Sequence, residues 1–361
     1  MERRKFLTGA AIAGTGVILA APAIAQGVKT ITIVSTWPRD FPGLGLSAQR
    51  LCARIDAISG GALKTEYFAA GEKVQAFDSF DEVAAGNSDA YIGAEYYWAG
   101  KHPGYNYFTS VPFGMTTPEW NAWIKFAGGQ ALWDELAGGF NLKAITCGGT
   151  GAQCGGWFNK EINSPEDLQG LKMRIPGLGG TVLSKLGVST VSLPGSQIYE
   201  NLVSGAIDAT EWVGPYNDYF MKFYEAAQYY YTGGMHEPGG GLGFGINLDF
   251  WNGLTDHEKA VIEAACYEEN AAQPEEAMAN NGTYLSKLVN DHGTKLRSFN
   301  DEIWDAFGEA SAEVFDETRQ HSDLAARIND SYMGALKDIG SFRAIAEIEF
   351  STQRNRVLGL T

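Results

Sequence analysis

The stretch Asp208-Ala209-Thr210-Glu211-Trp212-Val213-Gly214-Pro215 sets an acid and a large aromatic between a short apolar run and a Gly-Pro break. Ala206-Ile207 reads as the start of a buried strand, so Glu211 and Trp212 stand at its exit. Open α/β sheets place ligand contacts at such exits. Arg174 holds a similar position, at the end of Leu171–Ile175 and ahead of Pro176-Gly177. A guanidinium there can grip a carboxylate through two nitrogens. Gln153 follows the Gly-rich turn Gly148–Gly151 and offers a neutral oxygen, and Glu237 lies in a second Gly-rich loop, Gly233–Gly241. Trp37, Tyr97, Trp157 and Trp212 can wall an apolar pocket. Each also has an ordinary structural role open to it: a surface ion pair for Arg174, a solvated amide for Gln153, solvated or paired carboxylates for the acids, core packing for the aromatics. Taken together they have a charge consequence. With Arg174 on a ligand carboxylate beside Glu211 and Glu237, the local charge is two units negative, which a dry cleft disfavours. A bound Na⁺ relieves one unit and Ca²⁺ both, and amide, carboxylate and backbone oxygens suit those hard ions.

Other chemistries find little support. The five histidines, His102, His236, His257, His292 and His321, are scattered, and there is no H-E-x-x-H, G-x-S-x-G or P-loop pattern. The four cysteines, Cys52, Cys147, Cys154 and Cys266, show no zinc spacing. Cys147 and Cys154 could be bridged; Cys154 with a distant His could form a nucleophile pair, but a lone buried Cys is usually inert. The net charge of −16 argues against nucleic acid and anionic membrane as partners. Small anions remain, because they answer to a local site.

The candidate residues need a frame that brings strand ends together. Lys29–Ser35, Ala62–Phe68 and Asp89–Ala94 read as strands, with helices over Leu44–Ile58 and Ser79–Ala85 between them. That alternation marks a doubly wound parallel sheet. Tyr96-Tyr97-Trp98 then follows the third strand, a second aromatic cluster in a ligand-like place. A helix over Thr117–Leu136 and a strand over Leu142–Cys147 lead to the Gly-rich crossing. A second α/β segment follows, with strands at Trp157-Phe158, Leu171–Ile175 and Thr190–Leu193 and helices over Gly179–Leu186, Ser196–Gly205 and Tyr216–Ala227. Thr255-Asp256-His257-Glu258 is a capping box opening a long helix interrupted near Pro274. Further helices run over about 301–320 and 322–338 and from Phe342 to about Arg356.

The N-terminus carries an export signature. Arg3-Arg4-Lys5 is a twin-arginine n-region, Leu7–Ala21 a mildly apolar stretch, and Ala23-Ile24-Ala25 a cleavage site. A mature chain of roughly 336 residues, about −18 in charge, is expected in a bacterial periplasm. It is long enough for two ordinary domains.

At Gly155-Gly156-Trp157-Phe158, Gly170-Leu171-Lys172-Met173-Arg174 and Ile207 through Tyr216 the chain resembles the solute receptors of TRAP transporters, the DctP superfamily. The resemblance spans the mature chain and is nearest the α-keto-acid type. It implies a two-lobed α/β periplasmic binding protein fold, with the ligand cleft between lobes, crossing strands and long C-terminal helices. Residues 1–25 would be the signal, 26–150 the first lobe, 151–240 the second, and 241–361 a return to the first with bracing and C-terminal helices. It implies no catalysis, but capture of a small organic acid and delivery to membrane permease subunits. By resemblance Arg174 grips the acid, with Gln153, Tyr97, Trp37 and Trp212 around it. Gln153, Glu211, the Trp212 carbonyl and Glu237 hold Na⁺, or Ca²⁺ in a lactate-type receptor. A homodimer that exchanges the C-terminal helix is a further implication. Two departures bear on pocket size: the loop reads Gly-Met-His-Glu-Pro-Gly, where keto-acid receptors tend to carry an aromatic pair, and Trp37 stands where a smaller aromatic is usual. The alternatives are a receptor for another organic acid feeding a sensor, and a periplasmic enzyme using the same cleft.

Overall fold

The computed structural model describes residues 27–360, so the export signature over residues 1–25 lies outside the described residues. β1 (Lys29–Ser35) buries Ile31, Ile33 and Val34. α1 (Leu44–Ile58) turns a helical stripe of Leu44, Ala48, Leu51 and Ile55 inward. β2 (Leu63–Phe68) and, after α2 (Ser79–Ala84), β3 (Ala90–Gly93) pair in parallel on either side of β1. The single helix expected over Thr117–Leu136 is two. α3 (Thr117–Phe126) opens on a Thr116–Glu119 capping box, and α4 (Gly129–Gly138) restarts after Gly128, whose φ of 89° no helix accommodates. β4 (Leu142–Gly149) leads into the first crossing.

The second half is built from β5 (Gly156–Phe158), β6 (Lys172–Arg174), α5 (Gly177–Lys185), β7 (Ser189–Val191), α6 (Gly195–Val203), β8 (Ala209–Thr210), α7 (Pro215–Met221) and β9 (Tyr229–Thr232). The helix expected to reach Ala227 stops at Met221, where Lys222 takes a left-handed φ of 58°. The chain then returns through β10 (Gly241–Asn247), α8 (Leu248–Asn252), α9 (Asp256–His292), β11 (Lys295–Ser298), α10 (Asp301–Arg319), α11 (Asp323–Arg343) and α12 (Glu349–Leu358).

The first sheet has the order β2-β1-β3-β10-β4 and the second β11-β9-β5-β8-β6-β7. Both are mixed, where a parallel sheet was expected. β10 runs antiparallel to β3 and β4, and β5 antiparallel to β8 and β9. The crossings explain this. β4 leaves the first sheet at the carboxyl ends of its parallel strands, and β5 enters the second at the ends of β6 and β8, so β5 must run the other way. β9 and β10 repeat this in reverse. The carboxyl ends of both sheets therefore converge on the two crossing segments, the situation that places ligands in open α/β sheets.

Residues 241–361 do not all return to the first lobe. β11 pairs in parallel with β9 at the edge of the second sheet, and α10 packs on α5. α9 carries the chain there: its 37 residues span about 55 Å. The helix runs through Pro274 without the expected interruption. It packs on β4 and α1 of the first half and α7 of the second, and these contacts hold it across the missing backbone hydrogen bond.

β10 alternates glycine with large residues. A side-chain carbon on Gly241, Gly243 or Gly245 would strike Trp120, Glu95 or Tyr91 respectively. The bare face lets those side chains cross the strand, and Leu242, Phe244 and Ile246 fill the other face.

Candidate binding site between the sheets

Apart from Trp157, every residue singled out for ligand or cation contact lies at a strand end or on a crossing. Trp37 follows β1, Tyr97 follows β3, Gln153 lies between β4 and β5, Arg174 ends β6, Glu211 and Trp212 follow β8, and Glu237 lies between β9 and β10. Trp37, Tyr96, Tyr97, Gln153, Trp212 and Glu237 meet around a small cavity of about 10 Å³, room for about one water.

Arg174 is fully buried. Its Nε donates to the Leu193 carbonyl at 3.1 Å and Nη1 to the Glu211 carbonyl at 3.2 Å, with Nη1 also ion-paired to Glu211 Oε1. The guanidinium lies 5.3 Å from the Trp212 ring centroid. Gly195 at the start of α6 leaves space for that ring. Burial would lower the Arg174 pKa, but the charges and dipoles of Glu211, Tyr97, Tyr96 and Glu237 together offset it and raise it, and the group is held charged. The Gln153 amide donates to Glu237 Oε2 at 2.5 Å and to Thr150 Oγ1 at 3.1 Å. Burial and then the Glu211 charge push the Glu237 carboxyl well above the ordinary carboxylate range. Two buried acids thus share a dry site with one Arg, an arrangement short of positive charge.

The structure adds His236, which the sequence reading left among the scattered histidines. Its Nε2 stands 3.3 Å from Glu211 Oε2. Tyr96, singled out with Tyr97 and Trp98 as an aromatic cluster, lines the cavity as well. For His236 the available signal was adjacency, since it precedes Glu237.

Trp157 is not a pocket wall. Its ring stacks on Tyr230 at 4.2 Å and its Nε1 donates to Asp218 at 3.0 Å, inside the second sheet's core. Burial raises Asp218 to about 7. Cys147 and Cys154 are both free, and burial pushes the Cys154 thiol up to about 12, so neither a bridge nor a thiolate nucleophile is present.

Comparison with known proteins agrees with this architecture. Residues 34–321 match the bacterial extracellular solute-binding proteins, family 7, the DctP family. A monocarboxylate 2-oxoacid-binding periplasmic protein of Nostoc sp. is 36% identical over 358 residues, covering 97% of this chain and 98% of the relative. A TRAP transporter solute binding protein from Bordetella bronchiseptica, a dimer with calcium and picolinate in its active site, superposes with a TM-score of 0.90 at 32% identity, over 92% of this chain and 99% of that one. One from Colwellia psychrerythraea with bound calcium and pyruvate gives 0.87 at 33% identity, over 90% and 99% of the two chains. One from Pseudoalteromonas atlantica with bound sodium and pyruvate gives 0.87 at 32% identity, with the same coverage. By a family match over most of its length, this chain belongs to the family-7 bacterial extracellular solute-binding proteins, the solute receptors of TRAP transporters.

Proposed function

We propose that this receptor binds a small 2-oxo or 2-hydroxy monocarboxylate together with a bridging cation. The observation that carries the reading is a set of orphaned polar atoms. Arg174 Nη2, Trp37 Nε1, Trp212 Nε1 and Gln153 Oε1 are all buried without a hydrogen-bond partner. Buried polar groups are rarely left so. Three are N–H donors, suited to the oxygens of an acid. The fourth is an acceptor beside two carboxylates, suited to a cation.

Arg174 holds the acid's carboxylate through its free nitrogen. Trp37, Tyr97 and Trp212 enclose its short carbon chain, with Trp37 and Trp212 donating to its remaining oxygens. Gln153, Glu211, the Trp212 carbonyl and Glu237 hold Na⁺ or Ca²⁺, which supplies positive charge between acid and protein. Ca²⁺ brings the bound site to neutrality. The cavity as it stands holds about one water, so the two lobes must part to admit even an acid as small as pyruvate. Pyruvate with calcium or sodium in two structural neighbours, and the 2-oxoacid-binding Nostoc relative, support the same reading.

The twin-arginine signature would deliver the receptor to the periplasm, where the acid is handed to TRAP permease subunits. The two lobes hinge at the crossings near residues 150 and 240, and a homodimer forms through the C-terminal helix. No residue between Ala344 and Leu358 is buried, yet Ile345, Ile348, Phe350, Val357 and Leu358 are apolar and exposed. Such a face calls for a partner.

Thermal melting of stripped mature protein against a panel of 2-oxo and 2-hydroxy acids, with and without Na⁺ or Ca²⁺, tests the reading. Pyruvate or lactate is expected to raise Tm only with a cation present, and Glu211→Gln to reduce the shift. A shift from diacids or sugar acids alone would refute it.

A further inference from the structure

We infer that the same cleft also takes a first-row divalent transition cation of the Zn²⁺ class, with His236 as its nitrogen ligand. The inference rests on the cation-bridged reading above and goes beyond it in the choice of ion. Glu211, His236 and Glu237 each bring one ligand atom within 4.8 Å of the others, and all three are buried. His236 Nε2 and Glu211 Oε2 are 3.3 Å apart. Two ligands of a tetrahedral zinc at ordinary bond lengths stand about 3.3 Å from each other. That edge is therefore already at ligating distance.

Gln153 supplies an independent observation. It is 5% exposed, its Oε1 has no partner, and its amide nitrogen lies 2.5 Å from Glu237 Oε2. The oxygen shares its amide carbon with that nitrogen, and turning the amide over would bring it to the Glu237 side of the cluster as a fourth ligand. The imidazole is also held in place. A side-chain carbon on Gly179 or Gly234 would run into the His236 side chain, so both glycines make room for it. A ligand fixed by packing binds with little ordering cost.

The donor set decides the class of ion. Na⁺ and Ca²⁺ take oxygen and gain little from an imidazole, whereas zinc and its neighbours take imidazole nitrogen readily. Charge favours a divalent ion as well. It balances Glu211 and Glu237 and leaves Arg174 free to balance the acid's carboxylate.

The test is Co²⁺ titration of chelator-stripped mature protein, read by visible absorption, with Zn²⁺, Ca²⁺ and Na⁺ as competitors. A d–d band that Zn²⁺ displaces and equal Ca²⁺ does not is expected. His236→Gln should lose the band and bind Zn²⁺ at least about 100-fold more weakly, because losing a ligand costs no less than losing one of its outer partners. If that variant does not fold, the wild-type Co²⁺ complex decides through its proton NMR spectrum, where a ligating imidazole N–H is strongly shifted. No band, a band retained by His236→Gln, displacement by Ca²⁺, or no shifted N–H would overturn the inference. Parallel pyruvate titration separates the two claims. Pyruvate binding with Ca²⁺ but no Co²⁺ band removes the transition-metal claim alone. A His236-dependent Co²⁺ band without acid binding under any ion removes the acid reading and leaves the metal site.

Discussion

Arg174→Ala would leave Glu211 buried without its guanidinium. Stability is expected to fall by about 3–5 kcal/mol in denaturant melts, because an unpaired buried charge is left behind. Arg174→Lys keeps the charge but loses the fork, since one ammonium cannot serve Leu193, Glu211 and an acid at once. Acid affinity should then drop by at least about 30-fold, equivalent to about 2 kcal/mol. A buried acid elsewhere in the first sheet's surroundings, Glu95, gives a pH signature. Glu95 is fully buried, accepts the Tyr91 hydroxyl at 3.0 Å, and is raised by burial from 4.5 to about 8. Its folded pKa lies above the unfolded one, so its contribution to stability is complete below about 4.5 and lost as pH rises through about 8. Glu95→Gln keeps a hydrogen-bonding partner for Tyr91 and removes that slope, so the variant should melt at least about 2 °C above wild type at alkaline pH and show no gain near pH 4. Arg174, Glu211 and Gln153 were legible as candidates because strand ends and crossings are visible as breaks in apolar runs. His236 was not: which way a loop side chain turns depends on glycines far away in sequence, Gly179 among them. Trp157 misled because an aromatic beside a Gly-rich crossing reads alike whether it faces the cleft or the core.

At the scale of elements, β10 carries the tightest constraint. Gly245→Val would drive a branched side chain into the Tyr91 ring at the middle of the first sheet. A loss of about 1–3 kcal/mol is expected in urea unfolding, and Leu242→Val on the opposite face should cost less. Most elements could be placed from the sequence because period and punctuation agree. Lys29–Ser35 and Leu44–Ile58 alternate or repeat as strand and helix should, and Thr255 to Glu258 marks the start of α9. The misplacements have physical causes. Gly128 breaks a helix that the apolar repeat alone would continue, and Lys222 ends α7 by taking a left-handed turn. Pro274 was read as a break because its missing N–H is a local property, whereas the contacts that hold α9 together come from β4, α1 and α7. The antiparallel sense of β5 and β10 follows from the crossings and is not written in either strand.

Over the whole molecule, two sheets present their carboxyl ends to one cleft, α9 braces both halves, α11 packs on α3, α4 and α10, and α12 beyond it buries no residue. Ile345→Asp on the uncovered face is expected to convert a dimer to a monomer in light scattering while acid binding is unchanged; a monomeric wild-type protein would refute the dimer. The alternation of strands and helices announced the two-sheet plan, but the placement of β11 in the second sheet depends on the length of α9, which no local pattern specifies. The central claim is that one cleft binds acid and cation together, each completing the other's charge. Calorimetric titration of stripped mature protein with pyruvate, with and without Ca²⁺, tests it most directly. Tight binding that requires the cation and disappears in Arg174→Ala is the expected result. Pyruvate binding of equal strength in chelator, or undiminished in Arg174→Ala, would contradict it.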